Sequence, residues 1–233
     1  KKNSLQNISM HYDLSNRFFE KFLDPTMMYS SAIYESKKDS LNSASINKLN
    51  IICRKLKLKK TDHVIEIGTG WGGFAIYAAT HYGCKVTTTT ISKQQYLYAK
   101  NKINKLKLNK KIKIIFKDYR DLKGSFDKLV SIEMIEAVGH KYYDEYFYKI
   151  NSLLKDDGMA LIQAITIRDQ KYYAALKSVD FIQKYIFPGS CIPSLNVLQN
   201  CIANSSNMII KDIEDIGDHY VRTLAHWRVN FIK

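Results

Sequence analysis

Two kinds of residue in this chain have the type and spacing to do chemistry. The first is the run Val64-Ile-Glu-Ile-Gly-Thr-Gly-Trp-Gly-Gly73, where an apolar stretch carrying one acid breaks into closely spaced glycines. Gly68, Gly70 and Gly72 let the backbone turn sharply and let a ligand lie against bare main chain. Dinucleotide folds hold a pyrophosphate at such a turn, on the N-terminus of the following helix. Glu66, two residues before the first glycine, suits a cationic amino-acid ligand better than a pyrophosphate. The second kind is a set of polar residues at regular distances down the chain: Thr90 to Gln95, Asp118-Tyr119, and Glu133 to Glu136.

These residues need elements to position them, and the hydrophobic pattern supplies them. Val64–Ile67, Cys84–Ile91, Ile112–Phe116, Phe126–Ile132 and Met159–Ile167 read as strands. Helical patterns fall at Leu41–Leu58, Phe74–Tyr82, Lys93–Leu106 (capped by Ser92) and Tyr142–Leu154, with a turn at Lys155–Gly158. An earlier helix is expected around Leu14, Phe18, Phe19, Phe22 and Leu23, with Ser15 as N-cap and Pro25 as terminator. Strands alternating with helices imply a parallel sheet, whose ligands gather at the C-terminal ends of the strands. The glycine turn and the three polar sites all fall at such ends, and Glu-x-Gly-x-Gly-x-Gly is the usual opening of an S-adenosylmethionine (SAM) site. Residues 168–200 break the alternation with Tyr172, Tyr173, Phe181, Tyr185 and Phe187, an aromatic insertion suited to a lid over an apolar substrate. The end of the chain, from Ile213, reads as a strand or loop followed by a helix.

Composition narrows the classes. A chain of 233 residues buries one good core. The net charge of +14 favours a polyanionic partner, either an anionic membrane surface or nucleic acid. Cys53, Cys84, Cys191 and Cys201 show no metal-ligand spacing and read as reduced thiols of a cytosolic protein, with no metal expected. No apolar stretch approaches the ~20 residues that span a bilayer, so membrane contact is expected to be peripheral.

The chain resembles the cyclopropane fatty acid synthase and mycolic acid cyclopropane synthase family of SAM-dependent methyltransferases. The resemblance rests on His11–Ser15, Phe22–Met27, Tyr29–Ala32, the glycine turn, Thr90–Gln95, Asp118–Asp121, Ser131–Gly139, Asp180–Gly189 and His219–Leu224. It implies an α/β fold with a seven-stranded, mostly parallel, doubly wound sheet, the Rossmann-like class I methyltransferase fold. An N-terminal helical segment (1–60) would cover the cofactor, and 61–233 would form the methyltransferase domain with its lid. Relatives continue well past Phe231, so the chain is expected to be truncated at its C-terminus. By the same resemblance Tyr29 and Ser30 cover the SAM, and Gly68, Gly70 and Gly72 hold its methionine end. Thr90, Ile91 and Gln95 meet the ribose and adenine, and Asp118 and Tyr119 line the adenine.

The implied reaction transfers a methylene from SAM to cis double bonds of phospholipid acyl chains at an anionic membrane surface. Positive charge develops on a lipid carbon, so the site must exclude water and offer aromatic faces. A proton must then leave the added methyl, and in this family a bound bicarbonate is thought to take it. The resemblance places its cage at Glu136, Tyr220, Ser31, Gln163 and Ile165. Ser31 stands where the best-known relatives have Cys, and Gln163 where they have His. Tyr220 would supply the donor that lets Glu136 face an anion. Alternatives are methyl-branched acyl products, N-methylation of a small amine, and non-catalytic SAM binding. Nucleic-acid methylation is disfavoured by the absence of a catalytic Cys or Asn/Asp-Pro-Pro signature. The expected setting is cytoplasmic and peripheral to the membrane, with a homodimer as the assembly to test.

Overall fold

The computed structural model describes residues 15–233. Of the His11–Ser15 block only Ser15 therefore falls within it. Five strands form one parallel sheet: β1 (His63–Ile67), β2 (Lys85–Thr90), β3 (Ile112–Phe116), β4 (Phe126–Ile132) and β5 (Leu154–Gln163), in the order β3-β2-β1-β4-β5. The order reverses between β1 and β4, which opens a crevice at their C-terminal ends.

Alternation along β1 sets the two layers. Val64 packs with Val86 of β2 and with Leu49, Ile52, Phe74, Ala78 and Ile103, brought by α2 (Leu41–Lys55), α3 (Gly73–His81) and α4 (Lys93–Lys105). Ile65 and Ile67 face the other way, onto Leu129, Tyr146, Phe147 and Ile150 of β4 and α5 (Tyr143–Leu153). A third cluster lies above the strand ends: Phe19, Phe22, Met27, Tyr34, Trp71 and Trp227. Its members come from α1 (Asn16–Glu20), the loop after it, the glycine turn, and α8 (Gly217–Ile232).

The structure corrects several expectations. Among the described residues the sheet has five strands rather than seven. Of the strand or loop expected from Ile213, followed by a helix, the structure has the loop and the helix: residues 206–216 form no strand, and Ile209, Ile210 and Ile213 are exposed there. A strand exists only where a neighbour takes its backbone bonds, and this segment has none. It is held instead by Lys55 of α2, which pairs with Asp212 and Glu214 at 2.5 and 2.8 Å. The turn expected at 155–158 is a bulge within β5: Phe126 pairs with Leu154, but Lys128 pairs with Met159. Ser15 begins α1 without a side-chain cap bond, whereas Ser92 accepts from the Gln95 N–H at 3.3 Å as expected. The insertion forms α6 (Asp169–Ala175) and a π turn (Ile182–Ile186) before α7 (Leu195–Ser205).

Helix α8 is stitched to the loop at 31–36. Thr223 Oγ1 accepts from the Ala32 N–H at 3.0 Å, and Arg222 lies over the Tyr34 ring at 3.9 Å while donating to the Ser36 carbonyl at 3.1 Å. Both Ala32 and Thr223 are fully buried. Thr223→Val keeps the side-chain shape but orphans the Ala32 N–H, so a loss of about 1–3 kcal/mol is expected in urea unfolding. An unchanged midpoint would show that this contact contributes nothing.

Candidate active site

The glycine turn leaves β1 with Gly68, Gly70 and Gly72 at φ values of +97°, +51° and +87°, the left-handed region that side chains other than glycine's disfavour. The Gly68 and Thr69 N–H groups donate to the Thr89 carbonyl at 3.1 and 3.0 Å, fixing the turn to β2. A Cβ built at Gly70 would meet nothing within 4 Å, whereas one at Gly72 would press on Ala99 at 3.3 Å. Bare backbone thus faces open space at Gly70 alone of these two, as a ligand lying on the turn requires. Glu66 lies beneath rather than in that space. Its Oε2 accepts from Thr88 at 2.6 Å, and Thr88 is bonded to Thr69 at 2.7 Å. The acid expected to face a cationic ligand is a buried post that positions the turn. Burial pushes its carboxyl up to about 8.

The neighbouring strand ends present the expected residues. Thr90 Oγ1 donates to Gln95 Oε1 at 3.1 Å after β2, with half-buried Ile91 between them. Asp118, after β3, grips Arg120 through Nε at 2.9 Å and Nη2 at 2.6 Å. Tyr119 sits edge-on to Tyr146, its hydroxyl pKa raised by burial. The open Gly70 backbone together with these polar groups on β2 and β3 fits a nucleoside carrying an amino-acid arm, as SAM does. Bound there, SAM would supply an electrophilic sulfonium methyl. A lysine-lined cavity of about 220 Å³ (Lys85, Lys110, Lys111, Lys113) includes first residues of β2 and neighbours of β3's start, so it lies at the opposite ends of the strands.

The polar cluster after β4 is centred on Glu133, which belongs to the expected strand-end site but not to the anion cage that the resemblance implies. Glu133 follows β4 directly. Its Oε1 accepts from the Ser31 N–H at 2.8 Å and from Gln163 Nε2 at 2.8 Å, and its Oε2 accepts from the Tyr220 hydroxyl at 3.4 Å. Ser31, Gln163 and Tyr220 are brought together as expected, but around Glu133 rather than Glu136. Glu136, on a 3₁₀ turn (Ile135–Ala137), takes the Ile165 N–H at 2.5 Å on Oε1, and its buried Oε2 has no hydrogen-bond partner among the described residues. Tyr220 therefore does not serve Glu136. The bicarbonate implied by the resemblance does not fit: of its expected cage, the Ser31 N–H, the Gln163 amide, the Tyr220 hydroxyl and the Ile165 N–H already serve carboxylates of the chain, and the Ser31 hydroxyl serves the Ala32 carbonyl.

Electrostatics follow from this arrangement. Burial raises Glu133, while Lys48, the Ser31 N–H, the Gln163 amide and the Tyr220 hydroxyl pull it back. Lys48 is fully buried, donates to Ser30 Oγ, and is pushed down to about 8 by burial, opposed by the charges of Glu133 and Asp24. Glu136 is pushed up to about 8 by burial and then by Glu133. Of the two, Glu133 has the hydrogen-bond donors and the lysine charge that favour its ionised form, whereas Glu136 is held up by burial and by the Glu133 charge. Glu133 also has φ +46°, a strained backbone for a side chain that could have been avoided with glycine. The Glu133-x-x-Glu136 spacing at a strand end was the available signal. Spacing alone does not say which acid meets the donors.

Aromatic rings wall the cluster. Tyr29 packs on Phe19 at 5.4 Å, Trp227 at 5.3 Å and Phe187 at 6.2 Å, and Trp227 meets Tyr220 at 6.1 Å. Burial, then the Glu133 charge, push the Tyr29 hydroxyl up to about 12. The insertion is tied here as well: the Cys191 N–H donates to the Glu136 carbonyl at 2.8 Å, and Tyr143 donates to the Cys191 carbonyl at 2.7 Å.

A parallel sheet reversing between β1 and β4, with a glycine turn after β1, defines the class I SAM methyltransferase-like fold. Over residues 1–233 the chain matches the family described as mycolic acid cyclopropane synthetase, and it belongs to that family. It is 40% identical over 222 residues to the cyclopropane-fatty-acyl-phospholipid synthase of Escherichia coli (strain K12), covering 95% of this chain and 55% of that protein. It is 35% identical over 235 residues to the tuberculostearic acid methyltransferase UfaA1 of Mycobacterium tuberculosis, covering 98% and 55%. The chain thus spans just over half the length of these curated relatives. The cyclopropane synthase MmaA2 from Mycobacterium tuberculosis superposes with a TM-score of 0.89 at 26% identity, covering 97% of this chain and 82% of that one. The mycolic acid cyclopropane synthase CmaA1 complexed with SAH and CTAB gives 0.90 at 29% identity, with the same coverage.

Two outcomes test the site. Gly70→Ala meets no neighbour but fills the open space at a φ of +51° that a side chain disfavours, so a modest drop in melting temperature is expected, and isothermal titration at a temperature where the variant is folded should show weaker SAM binding. Equal affinity would place the ligand elsewhere. Glu66 and Glu136, near 8 in the fold against an ordinary 4.5, hold protons that the unfolded chain has lost. Their stabilising contribution is complete below about pH 4.5, drains as pH rises, and is gone above about 8. Lys48, near 8 against 10.5, returns stability between those values. Urea unfolding across this range should therefore show a minimum near pH 8, and Glu66→Gln should flatten the acid limb.

Proposed function

We propose that the chain is the catalytic part of an enzyme that transfers a methylene from SAM to cis double bonds of phospholipid acyl chains, closing a cyclopropane ring. The observation that carries this reading is the contact between the aromatic wall and the carboxylate cluster. Tyr220 belongs to both, bonding Glu133 while its ring meets Trp227. A cation forming on a hydrocarbon chain beside that wall is stabilised by ring faces, by up to ~2 kcal/mol each when desolvated. A carboxylate stands within one hydroxyl's length to receive the departing proton. Amine N-methylation has no need of an apolar, aromatic wall joined to a buried base.

Access from a membrane is supported by the insertion. Tyr173, Val179, Phe181, Ile182 and Tyr185 are exposed between Lys171, Lys177 and Lys184. Aromatic and aliphatic side chains among lysines suit the interface of an anionic bilayer. No helix among the described residues is long and apolar enough to cross a membrane, so contact through this insertion is the route the reading requires.

A second outcome at the same site is a methyl-branched chain. It is favoured by the similarity to UfaA1 and to a probable fatty acid methyltransferase of Pseudomonas putida, 34% identical over 233 residues, 99% of this chain and 59% of that protein. Loss of the proton from the added methyl closes the ring, whereas loss from a chain carbon beside the cation leaves a methyl-branched chain that keeps a double bond. The test is SAM turnover on vesicles of a cis-unsaturated anionic phospholipid, with mass and NMR analysis of the acyl chains. One added methylene with loss of the vinyl signal is expected. An added methyl without a ring would establish the branched product. No acyl change, with SAM bound, would sink the lipid reading for this chain.

A further inference from the structure

We propose that the Glu133 carboxylate is the general base of this reaction, a side chain of the protein standing where a free anion would otherwise be needed. The inference rests on the acyl-chain reading above, and it departs from the bicarbonate that the family resemblance implies. Three independent features point to it. The donors expected to cage an anion, the Ser31 N–H, the Gln163 amide and the Tyr220 hydroxyl, all close on the two oxygens of Glu133. The residue holds a left-handed backbone at φ +46°, which a side chain adopts only where the surroundings over-determine it. A buried lysine, Lys48, supplies the counter-charge that keeps one carboxylate ionised in this enclosed setting.

The step balances without an outside co-reactant. The π pair of the double bond forms a C–C bond to the sulfonium methyl, and the C–S pair stays on sulfur. The other alkene carbon is left cationic beside the ring wall of Tyr29, Trp227 and Tyr220. A C–H bond of the new methyl then breaks, its electron pair closes the third side of the ring, and the proton passes to Glu133. Glu136, neutral beside it, adds no competing charge. Tyr220 moves with the proton's destination, since its hydroxyl already donates to the accepting carboxylate.

The test compares the wild-type chain, Glu133→Gln and Glu133→Ala, with SAM affinity and melting measured for each. In carbon-dioxide-free buffer wild-type turnover on the unsaturated vesicles should be the same as with added bicarbonate. Glu133→Gln, of the same size, should keep SAM affinity and lose about 10²–10⁴-fold in turnover. Carbon-13 NMR of labelled bicarbonate should show no binding to the wild type. It should show binding to Glu133→Ala, where the donors are released, and added bicarbonate should restore part of that variant's turnover.

Bicarbonate bound by the wild type, or undiminished turnover in Glu133→Gln, would overturn the proposal. Loss of SAM affinity in Glu133→Gln in step with turnover would also overturn it, by showing a purely structural carboxylate. If Glu133→Ala does not fold, the wild-type binding arm and Glu133→Gln still decide. If the wild type alters no acyl chain, the lipid reading fails. The bicarbonate-binding arm, which needs no turnover, then reports by itself whether Glu133 fills the anion's place.

Discussion

A carboxylate enclosed at the end of β4 ties this structure together. Glu133 accepts from the loop before α2, from the end of β5 and from α8, elements that lie 102, 30 and 87 residues away along the chain. A buried charge is costly unless it is hydrogen-bonded and countered. Each of those elements must therefore reach the strand end for the fold to be stable, and Lys48 must be buried with them. The position of the N-terminal segment and of the last helix follows from that single requirement as much as from the apolar cluster of Phe19, Trp71 and Trp227.

The sheet provides the place where such a requirement can be met. Parallel strands bury both faces and leave their C-terminal ends as the free edge of the layer. Reversal of order between β1 and β4 opens the crevice there. On one side of it lie the glycine turn and the ends of β2 and β3, which offer bare backbone and neutral polar groups. On the other lie the two acids after β4 and the end of β5. The proposed cofactor site and the proposed base thereby lie on opposite sides of the crevice between β1 and β4.

The acids of this region show how environment assigns roles to identical side chains. Glu66 is sealed under the glycine turn and serves it by holding Thr88. Glu136 keeps one buried oxygen without a partner and holds a proton near neutral pH. Glu133 alone has the donors and the counter-charge to be ionised. Their chemistry is the same and their surroundings are not.

The parallel α/β layering, the glycine turn and the four strand-end positions are all legible in the order of residues. These depend on local periodicity and on glycine's freedom at positive φ, which neighbouring residues encode. The sequence also placed Ser31, Gln163 and Tyr220 in one cluster, through resemblance. Only the tertiary structure decided that they meet Glu133 and not Glu136, because the choice depends on which of two acids, three residues apart on a tight turn, points at donors arriving from distant elements. The same holds for residues 206–216: their isoleucines have strand character, but a strand needs a neighbour, and the fold brings none to them. What the chain encodes locally could be read in order; what requires two distant segments to arrive at one point could not.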